Sequence, residues 1–252
     1  MQEPPDSDTS LGGVVVTGGA QGLGRAMCAR LTADGYRVVS VDLQPAKADT
    51  EAAYASVVGD ARDVSVLREA CRLAAEHPRG LVGFVANAGI ARYGDSASLP
   101  RSDWDAVIDV DLSSVFQGAQ VAAEHFDADG SIVVISSAAA LGGVPLRAAY
   151  CAAKAGSLGL VRALSTEWGP RGIRVNGIAP GVVETELIRQ ARLTGSMRSA
   201  DEMSSAVPLR RLGEPADIAA VVSFLLSSDS RYVTGATIPV DGGLSSQLGP
   251  LV

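Results

Sequence analysis

At 252 residues, with 47% hydrophobic and 19% charged side chains, the chain is long enough for one large α/β domain, and no break in composition divides it. Its 28 acidic residues outnumber 21 Lys and Arg for a net charge of −7, which disfavours a nucleic-acid partner, because affinity for a phosphate backbone comes from cationic side chains. No apolar run reaches the ~18 residues of a membrane span, and Cys28, Cys71 and Cys151 are too scattered for a disulfide framework or a zinc knuckle, so a cytoplasmic location is expected.

Residues 1–10 are polar and contain Pro4-Pro5, the reverse of a signal peptide's apolar core, and are expected to form a disordered tail ahead of a single domain over 11–252. Leu11 to Thr17 has the pattern of a buried strand. A glycine turn from Gly18 to Gly24 and a helix to Asp34 follow at once, which is the opening of a Rossmann unit. The glycines let the backbone approach a pyrophosphate, and the unpaired N–H groups at the helix start face the anion, so Gly18, Gln21, Gly22, Leu23 and Gly24 are candidate cofactor residues. The spacing, Gly18-x-x-x-Gly22-x-Gly24, is not the common G-x-G-x-x-G.

The second strand, Arg37 to Val41, ends in Asp42-Leu43. A carboxylate there accepts hydrogen bonds from an adenosine ribose and repels a 2′-phosphate, which favours NAD over NADP. Nearby Lys47 keeps NADP open. A shorter strand, Ala55 to Val58, precedes Asp60-Ala61, where Asp60 either accepts from the adenine amino group or caps a helix running from about Val64 to His77; Asp63 is the other candidate cap. The fourth strand, Leu81 to Val85, leads into Ala86-Asn87-Ala88-Gly89, a polar turn at the carboxyl end of a strand, where open α/β sheets bind their ligands. A single long helix is expected from Ser102 to about Phe126, with Trp104, Val107, Ile108, Leu112, Val115, Phe116 and Val121 on its apolar side. His77 and His125 lack ligand-spaced partners and read as helix-end or surface residues.

Ser131 to Ser136 is a short, β-branched strand with Ser137 just beyond its end. Tyr150-Cys-Ala-Ala-Lys154 then opens a helix to about Trp168, and the i, i+4 spacing puts phenol and ammonium on one face. A free phenol titrates near pH ~10 and a neighbouring cation favours the phenolate. Tyr150 is therefore a candidate general acid/base, with Ser137 placed to hold the same substrate oxygen. The sixth strand, Ile173 to Ile178, ends at Ala179-Pro180-Gly181, and Thr185 follows within reach of a ligand. Residues 184–211 are polar and are expected to form a mobile lid. A last helix, from Glu214-Pro215 to about Leu226, and a seventh strand, Ala236 to Val240, complete the pattern. Candidate pocket walls are Ala91, Arg92, Tyr93, Leu141, Val144, Arg147, Val182 and Val183, with the segment from Leu187 to Met203; the apolar bias suggests a hydrophobic or cyclic substrate. Arg92 and Arg147 either pair with a substrate carboxylate or lie in solvent.

From Leu11 to Gly243 the chain resembles a short-chain dehydrogenase/reductase. Thr17-Gly-Gly-Ala-Gln-Gly-Leu-Gly24 matches that family's glycine turn, Ser137 with Tyr150-x-x-x-Lys154 its catalytic spacing, Asn87-Ala88-Gly89 most of its Asn-Asn-Ala-Gly turn, and Arg174-Val-Asn176 with Pro180-Gly181 and Thr185 its nicotinamide-side segment. The resemblance implies one doubly wound parallel sheet of seven strands with helices on both faces. It implies Tyr150 as general acid/base, Ser137 orienting the reacting oxygen and Lys154 holding the nicotinamide ribose. Cofactor contacts then come from Asn87, Ala88, Gly89, Pro180, Gly181, Val183 and Thr185, with no metal and with assembly as a homotetramer. Apolar positions beyond the needs of one sheet face, including Val107, Leu158, Val161, Leu164 and Trp168, point the same way.

Two positions depart from the family: Ala86 replaces the first Asn of the turn, and Asp111 stands where a catalytic Asn is usual. An ionised Asp111, water-separated from Lys154 by about 6–7 Å, would attract it by on the order of 2–3 kcal/mol; burial would instead keep it protonated. The chain thus reads as an NAD-dependent dehydrogenase interconverting a secondary alcohol and its ketone. A 3-oxoacyl-(carrier protein) reductase-like enzyme and a weakly catalytic nucleotide sensor on the same fold are the alternatives.

Overall fold

The computed structural model describes residues 11–45, 55–186, 189 and 199–247. The expected tail over 1–10, Lys47, and most of the segment between Leu187 and Ser199 lie outside them. Seven parallel strands form one sheet in the order β3-β2-β1-β4-β5-β6-β7: β1 Gly13–Thr17, β2 Arg37–Asp42, β3 Ala55–Val58, β4 Leu81–Ala86, β5 Gly130–Ile135, β6 Ile173–Pro180 and β7 Thr237–Val240. A parallel sheet buried on both faces accounts for the unbroken Val and Ile runs of the central strands. Along β1 the pleat sends Val15 to one core and Val14 and Val16 to the other.

One core is covered by α1 (Gly22–Ala33) and α7 (Pro215–Leu226), which contribute Met27, Leu31, Ile218 and Leu225. The other lies under α2 (Val64–Ala75), α4 (Ser114–His125) and α5 (Ala148–Trp168), through Leu67, Val115, Val121, Val161 and Trp168. A short α6, Ala200–Ser205, lies within the segment expected to be a lid, opened by a capping box between Ser199 and Glu202. The strand order changes direction between β1 and β4, so the crevice between their carboxyl ends is open for a ligand.

The long helix expected from Ser102 is three pieces. Helix α3 (Arg101–Ile108) passes into a π-helical turn, Asp109–Ser113, before α4 begins. The wider turn shifts the phase of the apolar stripe, so Val107, Val115 and Val121 are buried while Trp104 and Phe116 emerge into solvent. Helix α2 stops at Ala75, two residues before His77, which is itself buried and accepts the Arg79 N–H on Nδ1 at 3.0 Å. Val107, Leu158, Val161, Leu164 and Trp168 are all buried within the chain. The apolar surplus that pointed to a tetramer is therefore spent on the chain's own core. Among the described residues no helix is long and apolar enough to cross a membrane.

Candidate active site

The cofactor half begins where β1 ends. Gly18 and Gly22 have φ of +68° and +53°, a backbone that only glycine adopts without strain, and a side chain at Gly24 would place Cβ 1.9 Å from the Gly18 carbonyl oxygen. The turn delivers the chain to the N-terminus of α1, where Gln21 makes no side-chain capping hydrogen bond, so no side chain occupies the place of an anion. This cradle fits a pyrophosphate. Thr185, from the far side of the sheet, brings its Cγ2 to within 3.8 Å of the space above Gly22.

The Thr17 hydroxyl accepts the backbone N–H of both Asn87 and Ala88 at 3.0 Å, and Asn87 Nδ2 donates to the Thr17 and Gly18 carbonyls at 2.9 and 3.1 Å. Asn87 therefore braces the glycine turn against β4, with Thr17 as its partner. Thr17 stands in the sequence motif without an expected role; its signal is a hydroxyl at the last position of β1. Asp42 also faces the turn: Oδ2 accepts the Ala20 N–H at 3.0 Å and Oδ1 the Gln44 N–H at 3.1 Å, beside an exposed Leu43. Asp60 does not cap α2. Its carboxylate is taken by the Arg62 side chain at 2.6 to 3.1 Å and by the Arg62 N–H at 2.9 Å, which holds its pKa below the ordinary value, and next to it Ala61 is partly buried. Asp63 caps α2, accepting the Ser65 N–H at 2.8 Å.

The second half gathers at the ends of β5 and α5. Ser137 is extended after β5 and its Oγ accepts the Ala139 N–H at 3.1 Å, which leaves the hydroxyl proton available to a ligand. Tyr150 lies in the first turn of α5, and the Lys154 ammonium stands 5.7 Å from the centroid of its ring. Lys154 is buried, donates to the Ile135 carbonyl at 3.0 Å, and has Asp111 Oδ2 at 3.2 Å. The water-separated arrangement expected from the sequence is thus replaced by direct contact. Asp111, 0% exposed, comes from the π-helical turn; its Oδ1 accepts the Ile90 N–H at 2.7 Å, while Oδ2 faces Nζ at an angle that makes no hydrogen bond. Gly89 passes over the pair, and a Cβ there would lie 3.0 Å from Asp111 Oδ2 and 3.3 Å from Nζ.

Beyond β6 the expected residues divide. Gly181 packs on Asp241, where a Cβ would meet its Cα at 2.8 Å, and its N–H donates to Val240; Val183, buried, bridges to Gly213. Arg174 and Asn176 serve the scaffold, because Arg174 donates to the carbonyls of Leu225 and Ser230 and Asn176 clamps the Val233 carbonyl and the Ala236 N–H. Of the pocket walls, Tyr93, Leu141 and Val144 are exposed, and Ala91 and Val182 are partly buried. Arg92 stands 3.6 Å from Asp103, whereas Arg147 lies over Tyr93. Among the described residues no group of three or more His, Cys, Asp or Glu is placed to hold a metal.

A family model described as enoyl-(acyl carrier protein) reductase matches residues 18–245. Levodione reductase of Leifsonia aquatica is 35% identical over 252 residues, covering 92% of this chain and 94% of that protein. A crystal structure of levodione reductase matches with a TM-score of 0.84 at 32% identity, over 92% of this chain and 97% of that one. L-2,3-butanediol dehydrogenase of Corynebacterium glutamicum is 36% identical over 252 residues, 91% of this chain and 97% of that protein. The structure of ElxO with NADP bound matches with a TM-score of 0.87 at 26% identity, over 94% of this chain and 99% of that one.

Burial pushes the Asp111 carboxyl above its ordinary pKa, against the opposing pull of Lys154 and the Ile90 N–H. The folded chain then binds that proton more tightly than the unfolded one. The stability this residue contributes is full below about pH 3.9 and declines as pH rises through the raised folded value. Relative to Asp111→Asn, the wild type is expected to lose stability as pH climbs from about 4, measured by urea unfolding at each pH. A difference that does not vary with pH would mean that Asp111 keeps an ordinary carboxyl group.

Proposed function

The chain belongs to the short-chain dehydrogenase/reductase family, and from that premise we propose that it is an NAD-dependent oxidoreductase that interconverts a hydrophobic or cyclic secondary alcohol and its ketone. The observation that carries this reading is the Lys154 ammonium held 5.7 Å from the Tyr150 ring, together with the Ser137 hydroxyl after β5, whose proton is uncommitted. A nicotinamide cofactor, when bound, accepts the hydride of the alcohol carbon or returns it to the ketone. In oxidation the Tyr150 oxygen takes the alcohol proton; in reduction it gives that proton back to the substrate oxygen. Ser137 donates to the same oxygen and holds it against Tyr150. Lys154 cannot swing toward solvent, because Ile135 and Asp111 fix its head group, so its charge stays beside the phenol. The names of two relatives, levodione reductase and L-2,3-butanediol dehydrogenase, support a carbonyl/alcohol substrate. Assembly as a homotetramer follows from the family resemblance alone.

The choice of NAD rests on Asp42. Its carboxylate is fixed by the Ala20 and Gln44 N–H groups at the end of β2, so its negative charge is not free to turn away from a 2′-phosphate. ElxO holds NADP, so fold similarity by itself does not decide the cofactor. Steady-state kinetics are expected to give a kcat/KM at least ~10-fold higher with NAD than with NADP, and Asp42→Ala should narrow the ratio. A wild-type preference for NADP would remove Asp42 from this role.

Replacing Tyr150 by Phe keeps the ring and deletes the titrating oxygen. Turnover should fall by about 10²-fold or more while NAD affinity, read by fluorescence titration, changes little. Retained activity would place the proton transfer elsewhere. For Asp111→Asn the expected change is in pH dependence. The Asp111 carboxylate lies closer to Nζ than the Tyr150 ring does and offsets the lysine's field there. The rising limb of the pH–rate profile for alcohol oxidation should therefore sit at higher pH in the wild type than in the Asn variant; coincident limbs would show that Asp111 carries no charge during turnover.

A further inference from the structure

Two arginines stand among the candidate pocket residues, and the structure gives them different partners. The Arg92 guanidinium stands 3.6 Å from the Asp103 carboxylate, so its charge is answered within the chain. Arg147 has no carboxylate within ion-pair distance among the described residues. Its guanidinium instead lies over the Tyr93 ring, 4.4 Å from the centroid, and its Nη2 donates to the Tyr93 hydroxyl at 2.5 Å. A guanidinium carries five N–H donors, and stacking on a ring uses its face and not its edge. Most of the Arg147 donors therefore remain unspent, and the Tyr93 hydroxyl, having accepted from Arg147, still has its own proton to give.

The pair is also held in place. Arg147 is the N-cap residue of α5, three residues before Tyr150 in the chain. Leu146, just before it, has φ +62°, a strained conformation for a branched residue, and its carbonyl accepts the Gly94 N–H at 3.1 Å. This bond ties the loop that carries Tyr93 to the loop that carries Arg147. In the loop that leads to Arg147 the exposed large apolar side chains are Leu141, Val144 and Leu146, while Arg92, Asp95 and Ser96 are exposed beside Tyr93.

We propose that Arg147 and Tyr93 form an anion clamp in the substrate pocket, and that the substrate is a hydroxy acid or keto acid with an apolar chain. The carboxylate would take the edge of the guanidinium and the Tyr93 hydroxyl while the carbinol carbon lies at Tyr150. This rests on the reading of Tyr150 as the proton-transfer residue and adds to it the substrate class. A planar, bidentate partner is what a guanidinium edge recognises best. The apolar wall takes the hydrocarbon.

Two measurements separate the clamp from the reaction. In the first, kcat/KM with NAD is compared for 3-hydroxyhexanoate and 5-hydroxyhexanoate against their methyl esters, in wild type, Arg147→Gln, Arg147→Lys and Tyr93→Phe. The better acid is expected to exceed its ester at least ~10-fold in wild type, and Arg147→Gln should cut that acid-to-ester ratio at least ~10-fold through KM. Arg147→Lys should restore part of the ratio, and Tyr93→Phe should fall between. An acid-to-ester ratio that Arg147→Gln leaves unchanged would overturn the clamp. In the second, hexanoate, which cannot be oxidised at a carbinol, is titrated calorimetrically into the NAD-saturated protein. Binding that weakens at least ~10-fold in Arg147→Gln supports the clamp even if no alcohol is turned over, in which case the reaction reading alone fails. Turnover of the esters with no binding of hexanoate to wild type would leave the reaction standing and remove the clamp.

Discussion

An ammonium group 4% exposed to solvent is the constraint around which the catalytic half of this molecule is arranged. Taking a lysine head group out of water costs several kcal/mol unless charge and hydrogen bonds replace its hydration. Here the replacement comes from two directions, the Ile135 carbonyl at the end of β5 and the Asp111 carboxylate from the π-helical turn. At 3.2 Å and an effective dielectric near 20 the attraction between the two charges is on the order of 5 kcal/mol, and the cost of burying the carboxylate outweighs it, because the Asp111 pKa is raised and not lowered. The net effect is therefore one of position more than of stability. Removing Asp111 would leave Lys154 with the Ile135 carbonyl alone, so the π-helical turn, β5 and α5 meet in one geometry around Tyr150.

The cofactor half is built on a different principle, the absence of side chains. Gly24 exists because the Gly18 carbonyl occupies the space of its Cβ, and Gly18 itself is pressed by Asn87. That closeness brings the start of α1 against the end of β1 and leaves its N–H groups facing the crevice between β1 and β4. Thr17 and Asn87 then lock the turn by four hydrogen bonds across the two strands. Gly89 joins the halves: two residues after Asn87, it crosses the Asp111–Lys154 pair where a Cβ would crowd both charges. A cofactor seated on the glycine turn is thereby referred to the same frame as the proton-transfer residues.

The substrate side depends on loops, and loops are where local strain is kept. Leu146 with its positive φ, the bond to Gly94 and the stack of Arg147 on Tyr93 join the two loops that follow β4 and β5. The chain after β6 is anchored by Gly181 on Asp241 and by the Val183–Gly213 bridge, while Arg174 and Asn176 fasten the loop before β7. The polar groups of Arg174 and Asn176 bind the backbone from the end of α7 to the start of β7.

The sheet, its helices and the pairing of Tyr150 with Lys154 were legible in the sequence because they depend on local periodicity: β-branched runs of five or six residues, a glycine turn between a strand and a helix, and an i, i+4 spacing that helix geometry turns into proximity. Asp42 at the end of β2 and Asp63 at the head of α2 were legible for the same reason, since each acts within a few residues of itself or on the adjoining turn. Other features depended on segments far apart in the chain. A π-helical turn hides in a pattern that reads as one helix, and its extra residue exposed Trp104 and Phe116 and brought Asp111 directly to Lys154, 43 positions away. The capture of Asp60 by Arg62 was local but turned on rotamers that no periodicity encodes. Arg92 and Arg147 looked alike in sequence; what separated them was Asp103 beside one and Tyr93, 54 residues distant, beneath the other. Local spacing determines which side chains share an element, whereas the partner of a buried or stacked charge is set by how the elements pack, and only the folded chain contains that information.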